Sequence, residues 1–205
     1  TTLPQSTEQI LHPEKYFARE APVRVTLPDI APVLNGRGQS SAVRSQESAG
    51  SAGILPAMGA RRQLLTAHRS PLAGAWRRIA YDVQGEWGFY LILDQFLKSP
   101  AESRRAAAGW GGDRFAVYEG TQGEILIASL STWDTENDSR EFFDAYVKRT
   151  QLRYPRAAPV ASDEVTTWQT SEGDVAVERR GNRVLVIEGY SHKVEREALG
   201  RALWT

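Results

Sequence analysis

The sequence predicts an α+β domain: an antiparallel sheet of about five to six strands with helices packed on it, plus a disordered insertion. Three observations carry this expectation. Short apolar runs come in pairs across glycine turns, Phe115–Glu119 with Glu124–Trp133 across Gly120–Gly123, and Asp174–Arg179 with Arg183–Gly189 across Gly181–Asn182. Two longer stretches, Gly85–Leu97 and the run from Thr135 to about Tyr154, carry apolar residues at helical spacing. Between Asn35 and Gly74 the aromatics vanish and Gly, Ser, Ala and Arg dominate.

In chain order, residues 1–34 form an N-terminal junction segment. Ser6 or Thr7 caps a short helical turn, with Gln9 returning the bond as in a capping box. Pro13 ends that turn and can begin another. Val23–Pro28 alternates apolar and polar residues and reads as a short extended or edge strand. Residues 35–74 read as a flexible basic insertion, with Arg37, Arg44, Arg61, Arg62 and Arg69 against Glu47 alone and a weak helix around Ala57–His68. The α+β domain occupies 75–205. Trp76–Val83 reads as a strand, Gly85–Leu97 as a deeply buried helix, and Glu102–Ala108 as a further helical turn.

Three glycines at 109, 111 and 112 then surround Trp110 and lead into Asp113 and Arg114. This stretch reads as a tight loop folded onto the core, launching the strand Phe115–Glu119. Asp134 and Thr135 cap the next helix, and Glu136 and Asp138 suit the positive end of its dipole. Phe142, Phe143, Tyr146 and Val147 form its buried face, while Arg140, Glu141, Asp144, Lys148 and Arg149 face water. Pro155 and Pro159 stop it. Val165–Thr170 is a strand, and Val194–Trp204 a final amphipathic helix.

Composition narrows the function classes. Lys+Arg and Asp+Glu both number 25, so a nucleic-acid role has no electrostatic support. The absence of cysteine excludes disulfides, thiol catalysis and Cys-based zinc sites. No apolar run approaches the roughly 18 residues of a membrane helix. The chain begins at Thr1 without Met, as a processed or excised piece would, and a targeting segment could lie upstream.

No complete catalytic motif occurs. His12, His68 and His192 include no i, i+4 pair and no HExxH, and there is no GxSxG elbow. The glycine stretch matches neither a Walker loop nor GxGxxG. The carboxylates Asp113, Glu119, Asp134, Glu178 and Glu188 flank strands. Catalysis by two of them would require the fold to bring a pair within about 5–10 Å. No metal and no cofactor is expected. The candidate binding residues are Trp110, Asp113, Arg114 and Trp133. Trp110 is expected chiefly as a core anchor, with Asp113 and Arg114 locking the loop onto the sheet.

Three segments carry a resemblance: Ser6–Tyr16 (STEQILHPEKY), Gly109–Phe115 (GWGGDRF) and Trp133-Asp134-Thr135 followed by Phe142. In this order they resemble a family of poorly characterised exported or surface proteins of bacteria and archaea that are zinc-metallopeptidase-like. The resemblance implies an extracytoplasmic location and an upstream HExxH part that this chain lacks. No metal ligand or general base carries over. What remains is similar to a C-terminal accessory domain, whose partner would be an upstream peptidase-like domain. The expected function is thus a non-catalytic accessory or interaction domain. The alternatives are a stand-alone binding module, with Trp87, Trp110, Trp133 and Trp168 lining a pocket, and a hydrolase using strand-end carboxylates.

Overall fold

A computed structural model describes residues 3–36, 75–192 and 194–204. The expected flexibility of the insertion and its helix at 57–68 fall outside these residues, apart from Asn35 and Gly36. The elements are α1 (Thr7–Leu11), α2 (Pro13–Ala18), α3 (Ala31–Leu34), β1 (Arg77–Asp82), α4 (Gly85–Leu97), α5 (Pro100–Ala107), β2 (Trp110–Glu119), β3 (Ile125–Trp133), α6 (Glu136–Arg153), β4 (Pro159–Ala161), β5 (Val165–Trp168), β6 (Asp174–Arg180), β7 (Arg183–Tyr190) and α7 (Arg196–Leu203).

The strands form a single antiparallel sheet in the order β1-β2-β3-β7-β6-β5-β4. Two meanders, one before α6 and one after it, join where β3 pairs with β7. The class is α+β as the sequence predicts, with seven strands among the described residues rather than five or six. The additional strand is β4. Pro159 reads as a helix stop, yet it also opens an edge strand, where a missing N–H breaks no interior ladder.

The sheet is buried on both faces, which explains why β3, β6 and β7 are apolar at successive positions rather than at alternate ones. Val184 and Val186 of β7 join the core under α4, α5 and α6, with Phe89, Leu93, Trp133 and Phe142. Leu185 and Ile187 point the other way, into a core closed by Leu199 and Leu203 of α7 and by Val25, Leu27, Ile30 and Leu34. The N-terminal segment therefore supplies part of the core. Residues 23–28 are extended but form no strand of the sheet; Val25 and Leu27 bury themselves, and the Tyr81 and Tyr118 hydroxyls accept the Leu27 and Ile30 N–H groups.

The glycine stretch corrects the sequence reading. It is strand, not loop, since β2 begins at Trp110 rather than at Phe115. The glycines serve a bulge in the β2–β3 register between Trp110 and Gly112, and a close approach. A Cβ on Gly112 would run into the Val23 carbonyl, and the Val23 N–H donates to the Gly111 carbonyl at 2.6 Å. The glycines thus let the N-terminal segment lie directly on the strand.

Caps place the helices. Thr135 caps α6, and Asp138 completes a capping box that the sequence reading assigned only to the helix dipole. Asp134 is not a cap, because its carboxylate goes to Lys15. Ser6 caps α1 by accepting from the Gln9 N–H, but Gln9 returns its bond to Gln5 and not to Ser6. Arg149, expected to face water, is buried beneath α6.

Asn35 bonds both backbone groups of Trp76, its side chain accepting from the N–H at 2.8 Å and donating to the carbonyl at 3.1 Å. Residues 37–74 therefore leave and rejoin the domain at one clamp. Replacing them with a linker of about ten residues shortens the closed loop nearly fourfold. Each halving is worth about 0.6 kcal/mol of closure entropy. The shortened chain is expected to melt at the same temperature or slightly higher. A lower melting temperature would mean that residues 37–74 support the core.

Candidate functional site at the start of helix α4

Both recognisable motifs converge on the first turn of α4. From β2, Asp113 Oδ1 accepts from the Gly85 N–H at 2.9 Å and from Trp110 Nε1–H at 3.0 Å, while Oδ2 accepts from the Gln84 N–H at 2.9 Å. Gln84 offers α4 no side-chain cap, so Asp113 does that work from a distant strand. Burial raises the Asp113 pKa against the lowering by these three hydrogen bonds and by Arg114.

From the other side, Thr7 Oγ1 accepts from the Trp87 N–H at 3.4 Å, and His12 Nε2 lies 2.9 Å from Glu86 Oε1. Glu86 is only 4 % exposed, and its Oε2 has no hydrogen-bond partner among the described residues. An unmet buried acceptor of this kind costs about 1–3 kcal/mol. Burial raises the Glu86 pKa, partly offset by His12.

Burial alone would lower the His12 pKa, but the hydrogen bond to Glu86 and its charge outweigh this and raise it above the ordinary value. A histidine raised on folding adds stability that is fully present below the unfolded value of about 6.5 and is lost as pH climbs through the folded value. The wild-type advantage over His12→Asn is therefore expected to shrink as pH rises above about 6.5. Urea unfolding of both proteins at about pH 6 and 8.5 measures it. A pH-independent difference would show that the pair carries no imidazolium.

Next to this site Glu8, Glu20 and Asp134 bring carboxylate oxygens within 4.8 Å of one another. Lys15 already bridges them, its Nζ lying 2.6 Å from Glu8, 3.1 Å from Glu20 and 2.5 Å from Asp134. Burial opposes the charged ammonium, but these hydrogen bonds outweigh it and raise the Lys15 pKa. The ammonium takes the place a bound cation would need, and no metal is assigned here.

Two hollows flank the start of α4. The larger, about 510 Å³, is lined by Trp110, Gly112, Asp113 and Arg114 together with residues of the N-terminal segment. It brings together three of the four residues the sequence singled out. Two of these are committed elsewhere: Trp110 to the core and Asp113 to α4. Arg114 lies over the Tyr81 ring at 4.9 Å. The fourth, Trp133, is buried, stacked on Phe142 at 4.4 Å between centroids, with Nε1–H donating to Ser131 Oγ.

The smaller hollow, about 350 Å³, lies between α1, α4 and α5 and is lined by Leu11, His12, Glu86, Trp87, Tyr90 and the Arg104–Arg105 pair. Trp87 and Tyr90 pack ring to ring at 5.0 Å, and Arg104 lies over Tyr90 at 5.6 Å. Sequence reasoning missed Glu86 and the arginines. The available signal was Glu86 itself, the one charge before Asp94 in an otherwise apolar helix.

The strand-end carboxylates have separate partners. Glu119 pairs with Arg77, Asp134 with Lys15, Glu178 with Arg180 and Arg196, and Glu188 with Arg149 and Arg153.

The sequence profile of a domain of unknown function, DUF8575, matches residues 70–198. The chain belongs to this family. No curated protein and no solved structure matches it. The DUF8575 match spans all seven strands and includes Glu86, Arg104, Arg105 and Asp113, whereas α1–α3 with His12 lie outside it.

Proposed function

We propose that this DUF8575 chain is a non-catalytic binding domain whose ligand occupies the smaller hollow, against Glu86 and Trp87. The buried Glu86 oxygen without a partner, in a hollow walled by aromatic rings and arginines, carries this reading. The non-catalytic part rests on the strand-end acids, each held by its own cation or, for Asp113, by N–H groups. Among the described residues no helix is long and apolar enough to cross a membrane.

The test is a panel of amino acids, organic acids, sugars and short peptides, read by melting temperature and tryptophan emission. At least one class should raise the melting temperature, and Glu86→Gln and Trp87→Ala should each abolish the effect. Trp87 is 45 % exposed, so its variant should fold. A panel without hits, or hits that survive both substitutions, would overturn the reading.

A second reading is favoured by Ile10 and Phe17, which project from α1 and α2 at 66 % and 79 % exposure. Apolar groups so placed suit an accessory domain docked on an upstream metallopeptidase-like domain of an exported protein. Maleimide labelling of Phe17→Cys tests it. Protection in the full reading frame, compared with this chain alone, supports docking, and equal labelling rejects it.

A further inference from the structure

We infer that the hollow beside Glu86 takes the carboxyl-terminal end of an amino-acid residue: a carboxylate next to an amide N–H and an apolar or aromatic side chain. This rests on the binding role proposed above and narrows it to a ligand class.

Three features specify the three parts of that ligand. Glu86 spends Oε1 on His12, and its Oε2 is a buried acceptor with no donor, so the ligand must bring an N–H or O–H. Arg105 is exposed and makes no ion pair among the described residues, and Arg104 lies only over the Tyr90 ring. Two guanidinium groups on one wall call for a carboxylate, which they can bind through paired N–H donors. The remaining wall is Leu11, Trp87, Tyr90 and Ala107, which suits an apolar or aromatic side chain. With His12 charged, the site's own groups sum to a positive charge despite Glu86, so a ligand with a net negative charge is favoured. The volume of about 350 Å³ is at the small end of ligand cavities and admits one residue rather than a folded epitope.

A free amino-acid derivative and a peptide C-terminus share this chemistry. The experiment titrates the chain with N-acetyl-phenylalanine and with a pentapeptide ending in phenylalanine, each beside its C-terminal amide, and with N-acetyl-N-methyl-phenylalanine. Calorimetry and tryptophan emission read binding. Both acids are expected to bind at least about tenfold more tightly than their amides, as for loss of one charge-assisted contact. The N-methyl compound should be weakened similarly, and Arg105→Ala should remove most of the preference for acid over amide. A pentapeptide that binds while the single residue does not would assign the peptide C-terminus as the source. Amides binding as well as acids, or an N-methyl compound binding as well as its parent, would overturn the inference. If a sugar or another non-acid binds in a Glu86-dependent way instead, the ligand class is wrong while the binding role stands; if nothing binds, both fall.

Discussion

Glu188→Ala is expected to lower the unfolding free energy by about 3–5 kcal/mol, the range for removing one partner of a buried ion pair. Glu188 sits on β7 at 8 % exposure. Its Oε1 accepts from the Tyr146 hydroxyl at 2.7 Å and from Arg149 Nη1 at 2.5 Å, and its Oε2 accepts from Arg153 Nη1 at 3.0 Å. Arg149 is 5 % exposed and packed over the rings of Phe96 and Tyr146. Truncating Glu188 leaves this guanidinium buried with no counter-charge. Arg153 suffers less, because it also holds Glu172 at 2.6 Å and is partly exposed. Tyr146 stays a donor throughout, since burial and then the Glu188 charge hold its pKa well above the ordinary value. The paired change Glu188→Leu with Arg149→Met is expected to recover most of the loss, because a packed apolar pair needs no desolvation of charge. Urea unfolding of the single and double variants checks both statements. By contrast, Arg140→Ala breaks only a half-exposed pair with Glu164 and should cost less than about 1 kcal/mol. A loss below that figure for Glu188→Ala would show that the network is not formed.

What was legible in the sequence is what depends on neighbours along the chain. Gly85–Leu97 is α4 to the residue, because an apolar helix bounded by Gly85 and a left-handed Lys98 writes its own limits. The hairpins across Gly120–Gly123 and Gly181–Asn182 follow from turn chemistry in the same way. What was not legible depends on partners far along the chain. Asp113 caps a helix 28 residues before it, and His12 meets Glu86 across 74 residues. Nothing in the periodicity of either segment announces such a partner. Arg149 was placed in water because charge is usually solvated, and only the register of β7 under α6 supplies its carboxylate. The glycine stretch failed for a related reason. Local propensity favours a turn at three glycines, but the approach of the Val23 backbone makes glycine the residue a strand needs there. The candidate site was thus half visible: the segments that carry Asp113 and His12 stood out, and the helix they both hold did not.

Trp110→Ala is the other large effect, at about 3–5 kcal/mol for emptying the site of a buried aromatic. Trp110 is 2 % exposed and shares one core with Phe89, Trp133 and Phe142. For a domain of this size each kcal/mol shifts the melting temperature by about 2–4 °C, so a fall on the order of 10 °C is expected. The indole also donates to Asp113 Oδ1, but Asp113 keeps the Gly85 and Gln84 N–H groups after the substitution. The start of α4 should therefore survive, and the loss should be one of packing. Trp110→Phe separates the two contributions: it retains most of the ring contact and gives up the hydrogen bond, and should cost only on the order of 1–2 kcal/mol. A strong loss for alanine with a small one for phenylalanine fixes Trp110 as a core anchor of the strand. An unchanged melting temperature for Trp110→Ala would instead mean that the indole does not hold the core, and would make the 510 Å³ hollow beside Asp113 and Arg114 the better candidate for a bound ligand.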